Sequence, residues 1–552
     1  LIRRDTAGSD AMAGLVLGVE SVPDGLAAGV LAGGDPVFGL YGHLFGMVGG
    51  ALFTSTALMA VQSTGAMSLI VADVDLAGRA DPARSLFTLA IVTGVLMIVA
   101  GVLRFGSYLR FVSNSVMTGF VTAVGVNIVL GQLDNLTGYS TEGANRVVRT
   151  IDLFRNAGSI DLPSVAVGAL TIALILALGR TRLGALGLVV AVVVGSAAAA
   201  VLAASGRDVA LVGDVAVVPS SLPRPELPVL SEIPTLLVPA ASLAFVGLVQ
   251  GAGVSAGLRR PDDDPPAPSQ DFVAQGAGNI VAGVFQGMPV GGAMSASTLV
   301  SGAGARSRAA LLFAGAAMAL VLVLLAPAVE RVAMPALAGL LMVTGARAVK
   351  PARVMATART GKVPLTVMTI TFVLTLLIPL QYAVLVGVGC SVLLFVVGQS
   401  TRLVTRRLEF LDDGRVREVA PPDVLSAGEV VVLQPYGAVF FATTTVLIAQ
   451  MPAVDDDTRS AVVILRIRGA DAAGSTLLEA LRTYASLLGA HDSKLVLVTD
   501  NDRLIRQLHA TGTARVLGAE NIYRSTEYIG ETVRRANADA VAWVTARREA
   551  AP

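Results

Sequence analysis

N279-I-V-A-G-V-F-Q-G-M-P-V-G-G-A-M-S295 decides the fold when it is set beside V61-Q-S-T-G-A-M67. The first stretch starts as an apolar helix and breaks at Pro289, which lacks an amide hydrogen and restricts its predecessor. Gly291 and Gly292 permit unusual dihedrals and close backbone approach. A helix restarting near Gly292 leaves backbone amides free to face an anion, and Ser295, Ser297 and Thr298 add hydroxyl donors. The second stretch supplies Ser63, Thr64, Gly65 and Ala66 to a matching half-helix. Two broken helices meeting near a bilayer midplane make an ion site without charged side chains. Taken singly, either motif also suits plain close packing of Gly and Ala between helices.

The composition puts both motifs in a lipid-embedded body. Of 552 residues 54% are hydrophobic and 15% charged, and mean hydropathy is +0.71. A soluble protein of this size needs a more charged surface. The apolar residues come in runs, such as 165–178 and 186–204. Arg3, Arg4 and Asp5 lead into a long first span with no evident cleavable signal. Cys390, alone in its type, implies neither a disulfide nor redox chemistry. His43, His491 and His509 do not form a plausible metal cluster.

The apolar part divides into 14 segments: 11–31, 36–54, 60–72, 85–102, 110–130, 162–179, 183–204, 235–257, 270–287, 291–304, 308–328, 333–345, 364–380 and 382–399. Segments 60–72 and 291–304 are half-spans, since crossing hydrocarbon as a helix takes roughly 20 residues. They are segments 3 and 10, so the chain splits seven plus seven with the breaks at equivalent positions. An odd-numbered repeat reverses orientation in a membrane, which makes the halves inverted copies. Arg104 and Arg110, Arg180 and Arg182, Arg259 and Arg260, Arg306 and Arg308, and the group from Arg347 to Lys362 fall in loops on the side of the N-terminus. The opposite loops are poor in Lys and Arg except for 131–161, which mixes Arg146, Arg149 and Arg155 with Asp134, Glu142 and Asp152; the bias predicts both termini in the cytoplasm, in an inner or plasma membrane.

Beyond Arg402, Arg406 and Arg407 the chain reads as a small α/β module. Strands are expected at 429–433, 438–441, 461–467 and 494–498, and helices at 443–451, 473–488, 501–509 and 525–538. The domain expectation is 10–400 for the membrane body, 401–428 for a linker, 429–540 for the module and 541–552 for a tail. Asp262–Asp264 and Asp455–Asp457 read as solvated loops rather than metal sites.

Glu20 and Asp24 flank Pro23 and, four positions apart, share a helix face. A membrane carboxylate is costly unless hydrated, paired or protonated, so both are coupling candidates for a proton or a cation; Asp24 could instead meet water at a helix break. Gln250 could donate to an anion, orient a helix terminus or bond between helices, and Ser255 has the same alternatives. Phe38, Tyr41 and Phe45 read as core or interface aromatics. No metalloprotease motif, phosphate loop or convincing hydrolase elbow is present, so there is no catalytic residue set. The basic clusters lie at span boundaries without stacking aromatics, which gives no reason to expect a nucleic-acid partner.

S21-V-P-D-G-L-A-A-G-V-L-A-G-G-D-P-V-F-G-L-Y41, together with the two half-span motifs, closely resembles the sulfate permease (SulP) family of anion transporters. The resemblance runs through essentially all of 10–540. It implies a polytopic helical membrane protein with a seven-plus-seven inverted repeat, followed by a cytoplasmic STAS domain. It implies a mobile core of spans 1–4 and 8–11, a gate of spans 5–7 and 12–14, and a homodimer. The substrate position carries onto Ser63, Thr64, Gly65, Ala66, Gly292, Ala293, Met294 and Ser295, beside spans 1 and 8.

Four departures bear on coupling. V61-Q-S-T64 lacks the frequent proline, Gln250 stands where many relatives are acidic, Ala296 where some have arginine, and Asp24 where glutamine is common. V462-V-I-L-R-I-R-G-A-D-A-A-G-S475 resembles the STAS strand and loop, with Asp471 and Ser475 as loop or cap residues. The expectation is secondary active transport of a small inorganic anion, bicarbonate or sulfate, coupled to Na+ or H+ by alternating access. No resident cofactor is expected. Competing readings are an anion exchanger, a dicarboxylate transporter, or a membrane-bound regulator acting through the STAS domain.

Overall fold

The computed structural model describes residues 6–106, 113–143, 145–181, 186–257, 267–400, 403–411, 413–468 and 474–549. Arg3, Arg4, Asp5, Arg110, Arg182, Arg259, Arg260, Asp262–Asp264, Arg402 and Asp471 lie outside the described residues. The chain separates into two compact units, one through Ser391 and one from Val392.

All 14 expected apolar segments are helical, with ends within a few residues of expectation. They are α1 (Ala7–Leu31), α2 (Pro36–Phe53), α3 (Gly65–Ala72), α4 (Pro82–Val102), α5 (Asn114–Gly131), α6 (Leu162–Leu178) and α7 (Leu186–Ala204), then α8 (Ile233–Gly257), α9 (Pro268–Val284), α10 (Met294–Gly302), α11 (Ala309–Glu330), α12 (Met334–Ala348), α13 (Lys362–Leu377) and α14 (Leu380–Ser400). Among the described residues, seven helices are long and apolar enough to cross a membrane: α1, α2, α4, α5, α7, α8 and α11. Local chemistry sets several starts. Asp35, Asp81 and Asp161 each accept a first-turn amide ahead of a proline in the opening positions of α2, α4 and α6. No helix break accompanies Pro23, because α1 runs through it; that alternative for Asp24 falls away.

The packing has the equivalence that a repeat demands. Helix α1 packs on α11 as α8 packs on α4, and α2 packs on α11 as α9 packs on α4. Likewise α5 packs on α13 as α12 packs on α6, while α2 meets α9 and α5 meets α12. Replacing each helix by the one seven places along returns the same set. Helices α1–α4 and α8–α11 pack chiefly on one another, as do α5, α6, α7, α12 and α13. Glycine makes the tightest contact possible: a Cβ at Gly94 of α4 would stand 2.5 Å from the Gly276 carbonyl oxygen of α9.

The second unit holds a six-stranded sheet in the order β4-β3-β5-β6-β7-β8. Its elements are β3 (Val404–Phe410), β4 (Val416–Val419), β5 (Val430–Tyr436), α15 (Phe441–Ala449), β6 (Val462–Ile467), α16 (Ser475–Ala490), β7 (Lys494–Thr499), α17 (Asp502–Ala510), β8 (Ile522–Arg524) and α18 (Glu531–Glu549). Strands β5 to β8 pair in parallel, and β3 joins them antiparallel through Val404↔Tyr436 to Arg407↔Leu433. Three expectations need correction here. The linker at 401–428 contains β3 and β4, whose arginine and glutamate side chains mask the strand pattern by pairing across the surface, as in Arg417–Glu409. The tail at 541–552 is helical as far as Glu549 and buries Val544 against the sheet. The expected strand at 438–441 is instead the approach to α15, where the Thr443 hydroxyl bonds the Phe440 amide and turns the chain.

Candidate functional site

Both breaks end in a two-residue antiparallel ladder, β1 (Val61–Gln62) on β2 (Gly291–Gly292). Val61 faces Gly292 and Gln62 faces Gly291. The Ala293 amide extends the ladder to the Ala60 carbonyl at 2.9 Å. Helices α3 and α10 therefore both start here, leaving the ladder from its opposite ends. Helices α1 and α8 each pack against both half-helices.

The two amino ends are finished differently. Thr64 caps α3 by accepting the Met67 amide at 3.4 Å, and its hydroxyl donates to Gln250 Oε1 at 2.9 Å. Gln250 thus makes an interhelical bond that orients this cap. Ala293 occupies the cap position of α10 and offers no side-chain cap. First-turn amides have no partner inside a helix, so those of Met294 and Ser295 remain as donors. Ala293 is buried whereas Met294 and Ser295 are exposed, so the uncapped turn opens onto accessible space. Ser63 is buried, and its hydroxyl has no hydrogen-bond partner among the described residues. Gly65 and Ala66 form the first turn of α3. Ser297, by contrast, points back into the protein: its hydroxyl accepts the Ala60 amide and donates to the Ala293 carbonyl.

The residues that hold β2 in place were not singled out by the sequence reading. Gln275 Oε1 accepts the Gly292 amide at 2.9 Å. Asn279 brackets Val290, accepting its amide at 2.9 Å and donating to its carbonyl at 2.6 Å. A turn earlier, Asp271 accepts hydroxyl bonds from Thr54, Ser55, Thr56 and Ser255 and the amides of Ser55 and Thr56. Ser255 therefore serves the helix-to-helix role rather than facing the ladder. The spacing of Asp271, Gln275 and Asn279 puts them on one face of α9, and that polar stripe in a helix otherwise suited to burial was the available signal. Gly292 has no room for a side chain, since a Cβ would lie 2.6 Å from Gly251 Cα.

Of the coupling candidates, Asp24 faces His43, with Nε2 to Oδ2 at 3.4 Å. Ser21, beside Glu20, accepts a 2.7 Å bond from Gln62, the residue before Ser63. The aromatics pack as expected of core residues: Phe38 meets Phe87 edge-on and Phe45 stacks on Phe285.

Gln250 also borders a cavity of about 20 Å³ with Phe120, Phe245 and Thr371. A cavity of about 700 Å³ lies at the other end of α3, beside Asp73, Asp134, Arg146 and Arg149. There Asp73 pairs with Arg146 at 3.1 Å and accepts the Leu380 amide at 2.8 Å.

The model of the Sulfate permease family matches residues 8–371. The chain belongs to this family. It is an anion transporter of a multi-pass membrane protein class, and its homologues are transporters rather than enzymes. Over 539 residues it is 26% identical to probable sulfate transporter 4.2 of Arabidopsis thaliana, covering 93% of this chain and 79% of the relative. A solved structure of SLC26A9 superposes with TM-score 0.84 at 20% identity, over 98% of this chain and 91% of that one. The transmembrane domain of a cyanobacterial bicarbonate transporter, BicA, superposes with TM-score 0.62 at 21% identity, over 71% of this chain and 98% of that one. The α/β unit of this family member is consistent with a STAS domain.

Proposed function

We propose that this protein is a secondary active transporter of a small inorganic anion, sulfate or bicarbonate, coupled to H+ or Na+ by alternating access. The observation that carries the reading is the uncapped amino end of α10, set on one ladder with the amino end of α3. Unpaired amides at positive dipole ends attract an anion without a fixed charge. The anion would sit against Ser63, Thr64, Gly65, Ala66, Gly292, Ala293, Met294 and Ser295, with Gln250 orienting the α3 cap. Sulfate and bicarbonate are suggested by the relatives, whose own names carry those substrates.

The helix group α1–α4 with α8–α11 would move this pocket past the group built on α5 and α12. Glu20 and Asp24 supply the negative charge that an accompanying proton or cation would balance. The basic loops favour cytoplasmic termini in an inner or plasma membrane, and assembly as a homodimer completes the proposal.

The test is flux into proteoliposomes holding the purified full chain. Sulfate, bicarbonate, chloride and a small dicarboxylate are offered under separately imposed sodium and proton gradients. Gradient-driven uptake of sulfate or bicarbonate is the expected result. Uptake that requires a counter-anion and ignores both gradients would make the protein an exchanger, and no flux of any anion would reject transport.

A further inference from the structure

We propose that His43 and Asp24 hold one proton between them and that this proton accompanies the anion; the inference rests on the coupled-transport reading above and names its proton carrier. His43 is completely buried on α2. Its Nδ1 lies 3.1 Å from the Gly39 carbonyl oxygen one turn back. A carbonyl oxygen can only accept, so Nδ1 carries hydrogen. That fixes the chemistry of the other nitrogen, which faces Asp24 Oδ2 at 3.4 Å.

Two states satisfy this contact. Either a doubly protonated imidazole donates to the carboxylate, or a neutral imidazole accepts from the carboxyl O–H. Both place one proton between Nε2 and Oδ2, and both leave the pair with no net charge. Removing that proton sets an imidazole lone pair against a carboxylate and leaves one uncompensated negative charge. The Asp24 side chain is 31% exposed whereas that of His43 is fully enclosed, so the proton enters and leaves through Asp24.

The surroundings offer no substitute. Helices α2, α3, α7, α10, α11 and α12 pack on α1. Their only ionisable residues besides His43 are Tyr41, Glu330 and Arg347, the last two at helix ends. On α1 itself stand Asp10, bound at the start of the helix by the Arg306 and Ser307 amides, and Glu20 one turn before Asp24. Asp35 caps α2 through the Val37 amide. Helix α9 presents Asp271 to α2, but that carboxylate is taken up by its hydroxyl and amide donors. Among the described residues no Lys or Arg pairs with Glu20 or Asp24 to offset them together with an arriving anion. Anion and proton therefore load together, which is thermodynamic coupling.

The test uses radiolabelled sulfate and a lumenal pH dye in proteoliposomes. In the wild type an inward proton gradient should accelerate sulfate uptake, with lumenal acidification. His43→Gln should lower the lumenal acidification per sulfate taken up at least ten-fold, and Asp24→Asn should do the same. Thermal unfolding establishes that the variants are folded. A His43→Gln protein that keeps the wild-type response overturns the pair while leaving coupled transport standing. Wild-type sulfate uptake indifferent to protons overturns both the pair and proton coupling. A measurement independent of flux uses nitrogen-15 histidine labelling in a His491→Gln, His509→Gln background, where His43 is the sole histidine. A protonated Nδ1 is expected, and a bare Nδ1 would refute the proposal.

Discussion

Ser295 shows how much a single position carries. It is exposed in the first turn of the uncapped half-helix and its amide belongs to the free donors. Ser295→Asp would set a carboxylate where the anion is drawn in, so the KM for anion uptake should rise at least ten-fold without loss of folded protein. Zero-trans uptake with labelled sulfate measures it, and an unchanged KM would remove Ser295 from the pocket. The Ser-Thr-Gly and Gly-Gly signatures were legible because glycine, proline and hydroxyl residues alter the backbone locally. The fate of each hydroxyl was not legible. Ser297 turns back to Ala60, 237 positions away, while the Ser63 hydroxyl has no partner among the described residues.

Tyr484 gives a second residue-scale outcome, in the sheet unit. It is buried, its hydroxyl donates to the Pro452 carbonyl at 2.8 Å, and burial raises its pKa above the usual 10.0. An unfolded tyrosine loses its proton first, so the unfolded state binds fewer protons above about pH 10 and stability falls there. Tyr484→Phe should cost about 1 kcal/mol at neutral pH through the lost hydrogen bond. The same change should flatten the alkaline fall, as read by denaturant titration at pH 8 and pH 11.

At the scale of elements, α9 is the part that apolarity alone describes poorly. Its stripe of Asp271, Gln275 and Asn279 survives in a membrane body because these side chains find partners at Thr54–Thr56 just after α2, at Ser255 on α8, at Val290 and at Gly292 of β2, while Gln275 Nε2 donates to the Asp271 carbonyl of α9 itself. Asp271→Ala would leave the Ser55 and Thr56 amides and several hydroxyls without their acceptor. Hydrogen bonds to a charged group are worth about 1.5–3 kcal/mol each and are not additive, so a loss of about 3 kcal/mol or more is expected. Thermal unfolding in detergent reads this, and a melting temperature equal to wild type would show that other acceptors replace the carboxylate. The half-helices make the complementary point. Their shortness was visible in the sequence, but their meeting on one ladder depends on α9 holding β2 by its Gln275 and Asn279 side chains.

At the scale of the whole membrane unit, Asp73 adds a polar tie between helices of the two groups. It follows α3, where the negative end of the dipole disfavours a carboxylate, yet it caps the positive end of α14 through the Leu380 amide. Arg146, on the helix 146–155 after α5, completes the tie at 3.1 Å. The side chains of Asp73 and Arg146 are 14% and 18% exposed, so solvent screens them less than a surface pair. A double-mutant cycle of Asp73→Asn and Arg146→Gln should give a coupling energy above the ~1 kcal/mol typical of exposed ion pairs. A coupling near zero would mean that the tie contributes nothing to holding the two groups.

The amino-acid order by itself determined the number of apolar segments, the two interrupted ones and the change to an α/β unit. Each follows from chemistry within a window of neighbours: hydropathy over a helix length, a proline lacking an amide, or glycine beside a helix start. Only the tertiary structure decided that Asp271 serves Thr56, that Gln275 fixes Gly292, that Asp24 meets His43, and that residues of the expected linker complete the sheet. Those outcomes join residues from 17 to 215 positions apart. Local periodicity places a side chain on a face of its own helix, whereas the partner it meets is set by how the other helices pack around it.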